Sequence, residues 1–449
     1  MTAPDFPADR HFDGWLTSLA ARPVFVGYSG GVDSHLLLHE LCSRLPPKDI
    51  IAVHVNHGLS ARAESWQAHC AHQCDELGCG FEAFQVGISV EGKGLEAAAR
   101  DARYQVFMER VPEGSSLWLG HHLDDQLETF VQRLLRGSGL TGMSAMAAQV
   151  SRQGRLLLRP LLETSRQQVE ARARQIGLEW IEDGSNSDAQ FDRNFLRHQL
   201  LPLIESRWPQ YRQTLSRSLS HLTQAATQQA AHLDAEIEHR LAHDGALKAV
   251  QFEGWSTEQI QSLIHRWLHR QGVISPSEVI LQRIVHDVVN ARVDAQPEVR
   301  FGSGSVKRFR TALYWVPASP DPGKSAALIP DQWQRWPGIG WLYLQTVDHG
   351  EGRIRIAEAH WRWQLRLGGE VIWPADRSAR RDLKRLFQEY RLPPWQRDRV
   401  PLLFADNELV AVADLAVDQA WLAQSGEPGW RLHWHRDQSS APPILLPGD

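Results

Sequence analysis

Val24-Phe25-Val26-Gly27-Tyr28-Ser29-Gly30-Gly31-Val32-Asp33-Ser34 is the stretch on which the fold turns. An apolar run ends in a serine-flanked pair of glycines, and Leu36-Leu37-Leu38 opens a helical pattern directly afterwards. Strand, glycine bend and helix in that order form a βα unit whose bend suits an anion. Adjacent glycines let the backbone turn tightly and approach a ligand closely. Successive N–H groups then face one concavity, and the helix adds the positive end of its dipole. Ser29, Gly30, Gly31, Val32, Asp33 and Ser34 are therefore expected to cradle a nucleotide's pyrophosphate, with Asp33 placed to hold Mg²⁺ or to order the loop. The Gly-Lys-Ser/Thr ending of a Walker A loop is absent.

Outward from this bend, residues 51–55, 82–86 and 117–120 are further strand candidates, the second weaker than the others. Helical patterns lie at 34–44, 61–77, 95–110 and 124–136. Strands separated by helices of this length predict an α/β, doubly wound parallel sheet, which binds ligands at the carboxyl ends of its strands. Residues 1–215 are assigned to this nucleotide-binding domain. A mainly helical domain is expected over 216–318, with a linker region over 319–340 marked just before and within it by Pro317, Pro320, Pro322 and Gly323. A small α+β domain is expected over 341–440, including a basic helical segment at 378–390 and a loosely ordered tail from Pro442.

Composition narrows the class. A chain of 449 residues with 42% hydrophobic and 22% charged content is an ordinary globular protein of several domains. No apolar run reaches the roughly 18 residues of a membrane span. The first 20 residues carry Asp5, Asp9, Arg10 and Asp13 and no apolar centre, so no secretory signal is expected. Four cysteines in this length suit a reducing compartment, and cytoplasm is the expected location. A net charge of -5 speaks weakly against nucleic acid, but local clustering decides that question. Between Arg377 and Arg399 basic residues outnumber acidic ones, and Arg380, Arg381, Lys384 and Arg385 at helical spacing predict a positive face for RNA phosphates.

After the fourth strand comes Gly120-His121-His122-Leu123-Asp124-Asp125-Gln126-Leu127-Glu128-Thr129. His121 and His122 are expected at the strand end near the nucleotide. Asp125 and Glu128 are three apart on the next helix, so they share a face and can hold a cation or an ammonium. The glycine loop resembles the PP-loop of the ATP pyrophosphatase families. With His54-Val55-Asn56-His57-Gly58-Leu59, Gly94-Leu95-Glu96-Ala97-Ala98-Ala99-Arg100, Arg103-Tyr104 and Arg159-Pro160-Leu161-Leu162, the chain resembles the tRNA(Ile)-lysidine synthetase family. Asp192-Arg193-Asn194-Phe195-Leu196-Arg197, Lys384-Arg385-Leu386-Phe387 and Pro393-Pro394-Trp395-Gln396-Arg397-Asp398 extend that resemblance toward the C-terminus. Ser165-Arg166 stands where Thr-Arg is expected, and Val32 where Leu is common.

The resemblance implies ATP and Mg²⁺ as cofactors, with free lysine and an isoleucine tRNA with a CAU anticodon as substrates. Asp33, Asp125 and Glu128 are then the expected catalytic residues, and His54, Asn56 and His122 are expected to border the nucleotide. Arg100, Arg103, Asn194 and Arg197 are expected on the phosphates or the target nucleotide. No membrane contact is expected. Oligomeric state is left open, with a homodimer as one expectation. The competing enzyme reading, a tRNA 2-thiocytidine synthetase, needs cysteine pairs for an Fe–S cluster. Trp66, Cys70, Cys74 and Leu77 instead recur at helical spacing as a buried stripe. A small-molecule PP-loop ligase, such as an NAD or GMP synthetase, and a non-catalytic tRNA-binding protein are the remaining alternatives.

Overall fold

The computed structural model describes residues 6–18, 23–58, 62–87, 94–181, 192–242, 244–248, 252, 254–292, 294–323, 325–326, 328–348 and 353–436. The polar run at 182–188 and the tail from Pro442 lie outside them. The chain divides into two compact units, 1–232 and 233–449.

In the first unit, β1 (Val24–Gly27), β2 (Ile50–Asn56), β3 (Gly80–Gln85), β4 (Ser116–Leu119), β5 (Gln149–Arg152) and β6 (Arg155–Leu158) form one sheet in the order β3-β2-β1-β4-β6-β5. All pairings are parallel except that of β5 with β6. Val24 lies beside Ile50 on one side and Ser116 on the other, so the segments leaving β1, β2 and β4 emerge together at one edge. Every side chain of β4 is buried, as expected of a strand covered on both faces. The helices are α1 (Asp9–Ser18), α2 (Val32–Cys42), α3 (Ala63–Leu77), α4 (Leu95–Arg110), α5 (Leu123–Leu135), α6 (Leu140–Met143) and α7 (Arg166–Gln175). A helical run follows: α8 (Asp192–Phe195), a π segment Leu196–Leu200 and α9 (Leu201–Arg207). Leu36, Leu37, Leu38 and Leu41 of α2 pack with Val24, Val26 and Trp118 in the core, each contributing about 1.5–3 kcal/mol. Cys70 and Cys74 are in the same core, as the helical stripe requires.

The edge hairpin β5–β6 was not expected from sequence. Its outer strand reads Gln149-Val150-Ser151-Arg152, too polar for an apolar-run search to find.

α10 (Tyr211–Arg240) precedes two helices of the second unit, Thr257–Arg270 and Glu278–Arg283. The region expected to be mainly helical also carries an antiparallel sheet of Leu247–Lys248, Ala312–Pro317, Gly304–Phe309 and Glu298–Phe301. Leu263, Ile264, Trp267, Val299, Val306 and Leu313 join helices and sheet in one core. Within the expected linker, Gln334–Trp336 is a strand paired with Gly340–Val347. The basic segment is helical only over Leu383–Glu389. Arg381–Asp382 is a strand on Val371–Ile372, and the Asp382 side chain caps the helix by accepting from the Lys384 N–H at 2.6 Å. Tryptophans such as Trp336, Trp363 and Trp430 fill the C-terminal core, with Trp361 and Trp430 edge to face at 4.9 Å. No helix among the described residues is long and apolar enough to cross a membrane.

Candidate functional site

β1 ends at the glycine bend, and its geometry follows from the residues there. Gly30 has φ +83° and accepts from the Ile181 N–H at 3.1 Å. A Cβ on Gly30 would lie 2.8 Å from the Cys70 sulfur, so any other residue would push α3 away. Ser34 holds the bend closed: its Oγ accepts from the Ser29 N–H at 3.1 Å and lies 3.0 Å from Ser29 Oγ. α2 begins at Val32 with Gly31 as N-cap and no side-chain cap. Its first amides are left to an outside acceptor, the arrangement an anion needs.

β4 delivers the second wall. Gly120 follows it, and a Cβ there would meet the backbone C and O of Asp33 at 2.9 Å. His122 then caps α5 in a reciprocal box: its N–H donates to Asp125 Oδ2 at 3.0 Å, and the Asp125 N–H donates to His122 Nδ1 at 3.4 Å. His122 Nε2 is 3.7 Å from Asp33 Oδ1 and 3.6 Å from Asp125 Oδ2. The bend and the acidic helix are therefore brought together, as the sequence led one to expect.

The acids here have guanidinium partners. Arg166 Nη1 donates to Asp33 Oδ2 at 2.8 Å, and Arg212 Nε to Asp124 Oδ1 at 2.8 Å. Arg193 bridges Asp125 at 2.8 Å and Glu128 at 2.6 Å. Arg197 reaches Glu128 at 2.6 Å and Asp125 at 3.3 Å. Expected on RNA, Arg197 sits on the carboxylates in this state. Arg193, Arg166 and Arg212 were not singled out beforehand. One signal was present: Arg193 and Arg197 are four apart, matching the three-residue spacing of the acids.

Burial and charge split the two central carboxyls. Burial drives Asp33 above the ordinary carboxylate range, although His122 and Arg166 pull the other way. For Asp125 burial is overcome by His122, Arg193 and His121, together with the His122 backbone N–H, and the group is held well below that range. Asp33 Oδ1 is buried with no hydrogen-bond partner. A lone orphaned carboxylate oxygen beside a phosphate cradle fits Mg²⁺, which takes one or two carboxylates and completes its shell from phosphates and water. No cluster of three or more metal-ligating side chains occurs among the described residues.

At the end of β2, His54 Nδ1 donates to the Tyr28 carbonyl at 3.0 Å, and burial lowers its pKa. Asn56 accepts from the Gly58 N–H at 2.9 Å. His54 thus reaches the residue that precedes the bend, and Asn56 lies two residues further along β2. Arg103 is held below its ordinary range by burial, and the charge of Asp125 reaches it. Arg100 does not join the acids. It lies over the Tyr104 ring at 5.7 Å in a cleft of about 580 Å³ shared with Arg152 and Arg159. Asn194 lies on α8, between Arg193 and Arg197 in sequence. In the second unit Arg380 and Lys384 are exposed, whereas Arg381 and Arg385 lie 3.7 Å and 3.4 Å from Glu389.

A glycine bend opening a helix at the carboxyl edge of a parallel sheet marks a nucleotide-binding domain, and a family model for a PP-loop domain matches residues 5–204. Models for a TilS substrate binding domain and a TilS substrate C-terminal domain match 247–314 and 361–434. The chain is 38% identical over 429 residues to a tRNA(Ile)-lysidine synthase of Serratia proteamaculans, covering 93% of this chain and 96% of that one. Its identity to one from Yersinia pestis is 38% over 439 residues, covering 92% and 94%. To one from Escherichia coli O157:H7 it is 37% over 444 residues, covering 93% and 98%. The chain belongs to the tRNA(Ile)-lysidine synthase family, and it is an ATP-using enzyme.

Proposed function

We propose that this enzyme joins free lysine to C2 of the wobble cytidine in an isoleucine tRNA with a CAU anticodon, converting ATP to AMP and pyrophosphate. The modified anticodon then reads AUA in place of AUG. In the first step the cytidine O2 attacks the α-phosphorus and pyrophosphate leaves. In the second, the lysine ammonium gives a proton to a carboxylate or to water, the free ε-amine attacks C2, and AMP leaves with the former O2. Positioning and charge stabilisation supply most of such a rate.

One observation carries the reading: the uncapped start of α2 carries Asp33 in its first turn, and Oδ1 of Asp33 is buried without a hydrogen-bond partner. The amides of Val32, Asp33 and Ser34 hold the departing pyrophosphate. Asp33 would hold Mg²⁺, which would neutralise charge on the phosphates. His54 and Asn56 border the adenine, and His122 keeps Asp33 and Asp125 apart. Asp125 and Glu128 receive the lysine ammonium by taking it in exchange for a guanidinium of Arg193 or Arg197. Each arginine so displaced turns toward the α-phosphate or the target nucleotide. Asn194, Arg103 and Arg100 border the RNA, and Arg380, Lys384, Arg381 and Arg385 form its outer phosphate contact. The reaction belongs to the cytoplasm, where tRNA and ATP meet.

The test is incubation with ATP, labelled lysine and total tRNA. Label in an isoleucine tRNA supports the reading. Pyrophosphate release that needs no tRNA points to a small-molecule ligase, and ADP as product removes the assignment. The thiolating alternative is disfavoured by Cys70 and Cys74, which are spent on the core.

A further inference from the structure

The second unit holds a cleft of about 710 Å³ that the mechanism does not use. One wall is the sheet that carries Phe301, Lys307, Tyr314 and Trp315. The other is formed by Trp395, Arg399, Trp434 and Arg436, and Arg300 stands at the rim. Four cations face two acids, and one of these, Glu298, is shared by Arg300 at 2.8 Å and Lys307 at 3.4 Å, so the cleft is net positive in a net-negative chain.

Its walls are built, not incidental. Trp395 is held edge-on by Tyr314 at 5.4 Å and by Phe309 at 6.2 Å, with the Lys307 ammonium 5.5 Å from its ring. A Cβ on Gly304 would fall 2.6 Å from the Trp315 ring, so that glycine is what lets the indole lie across its strand. Gly338 has φ +80°, and a Cβ there would meet the Pro320 carbonyl at 2.7 Å. Arg399 donates to the Gly338 carbonyl at 2.7 Å, which fixes its guanidinium at the cleft wall. Aromatic faces interleaved with cations take a base by stacking and its phosphate by charge, with little regard to sequence.

We propose that this cleft binds an unpaired nucleotide at the single-stranded 3′ end of the RNA substrate, its base stacked on Trp395 and its phosphates met by Arg300 and Lys307. A free end enters without opening base pairs. The proposal rests on the reading that the substrate is a tRNA. A free mononucleotide shares the same chemistry, so both are tested.

The affinity of the full-length protein is measured for tRNA with its 3′ tail intact and with the tail trimmed to the last base pair. Both are measured with and without millimolar AMP, in the parent and in Trp395→Ala and Trp395→Phe. Trimming weakens the parent about ten-fold and Trp395→Ala less than two-fold, with Trp395→Phe between, as a lost base–aromatic stack requires. Arg300→Gln and Lys307→Gln each lower the slope of log affinity against log salt by roughly one. Equal losses on trimming in parent and Trp395→Ala, or no loss in the parent, overturn the proposal. So does AMP that abolishes the tail's contribution. Failure of the functional reading looks different: tail-dependent binding persists while ATP, lysine and tRNA yield no pyrophosphate.

Discussion

Asp33 and Asp125 sit in the first turns of α2 and α5, and their surroundings shift them in opposite directions. Asp125 stays ionised in the resting protein, which suits a residue that trades one cation for another. Asp33 is desolvated, and Arg166 meets one of its carboxylate oxygens while the other, Oδ1, has no hydrogen-bond partner. Replacing Asp33 by Asn is expected to remove pyrophosphate release while tRNA affinity stays within two-fold. Both are measured on one preparation, and retained adenylylation excludes Asp33 from the site. Gly120 is the complementary test. A methyl at Gly120 meets backbone, which cannot rotate away, and overpacking of this kind costs about 1–3 kcal/mol. Gly120→Ala is therefore expected to lower Tm and to raise KM for ATP several-fold; an unchanged KM would show that β4 and α2 need not touch.

At the level of elements, α7 earns its place through its first residue, since Arg166 holds Asp33. Ser165 caps α7 in a reciprocal box with Gln168. Ser165→Ala is expected to cost about 1 kcal/mol, as cap removal does, read as a lower urea midpoint at constant slope. Two buried histidines, His35 and His54, and the half-buried His121 give a pH signature. Burial pushes His35 down to about 4 and His121 to about 3, and lowers His54 as well. The unfolded chain therefore takes up protons from about pH 6.5 downward while the fold does not, so stability is lost as pH falls below that value. Tm is expected to drop between pH 7.5 and 5.5, and His121→Asn is expected to flatten that drop.

How legible these elements were follows from the same physics. β1, β2 and β4 are apolar runs because both faces are covered, and the bend was visible because two glycines and two serines are needed to make it. β5 escaped because an edge strand needs little apolar content. The arginines on Asp125 and Glu128 escaped because the partners lie more than sixty positions apart, a pairing that only the fold creates. The helical spacing read into Arg380, Arg381, Lys384 and Arg385 failed at Asp382, which caps a helix starting one residue later.

Over the whole molecule, a net charge of -5 hides strong local differences. Of the 18 tryptophans, Trp336, Trp363 and Trp430 fill a core, while Trp395 lines a cleft. Of the basic residues near it in sequence, Arg380 and Lys384 are exposed, and Arg381 and Arg385 share Glu389. Reversing both Arg380 and Lys384 to Glu is expected to weaken tRNA binding several-fold at moderate salt and to leave KM for ATP alone. Unchanged tRNA affinity would assign that helix a solvated role.

At the sheet edge Asp33, Asp124, Asp125 and Glu128 are each met by arginine before any substrate arrives. The resting centre thus behaves like a loaded ion exchanger: an incoming cation or phosphate swaps partners and adds little net charge. Occupancy at one position must then loosen a guanidinium at the next, so substrates that differ in sign help one another in, and each alone binds less tightly than the charges it meets would suggest.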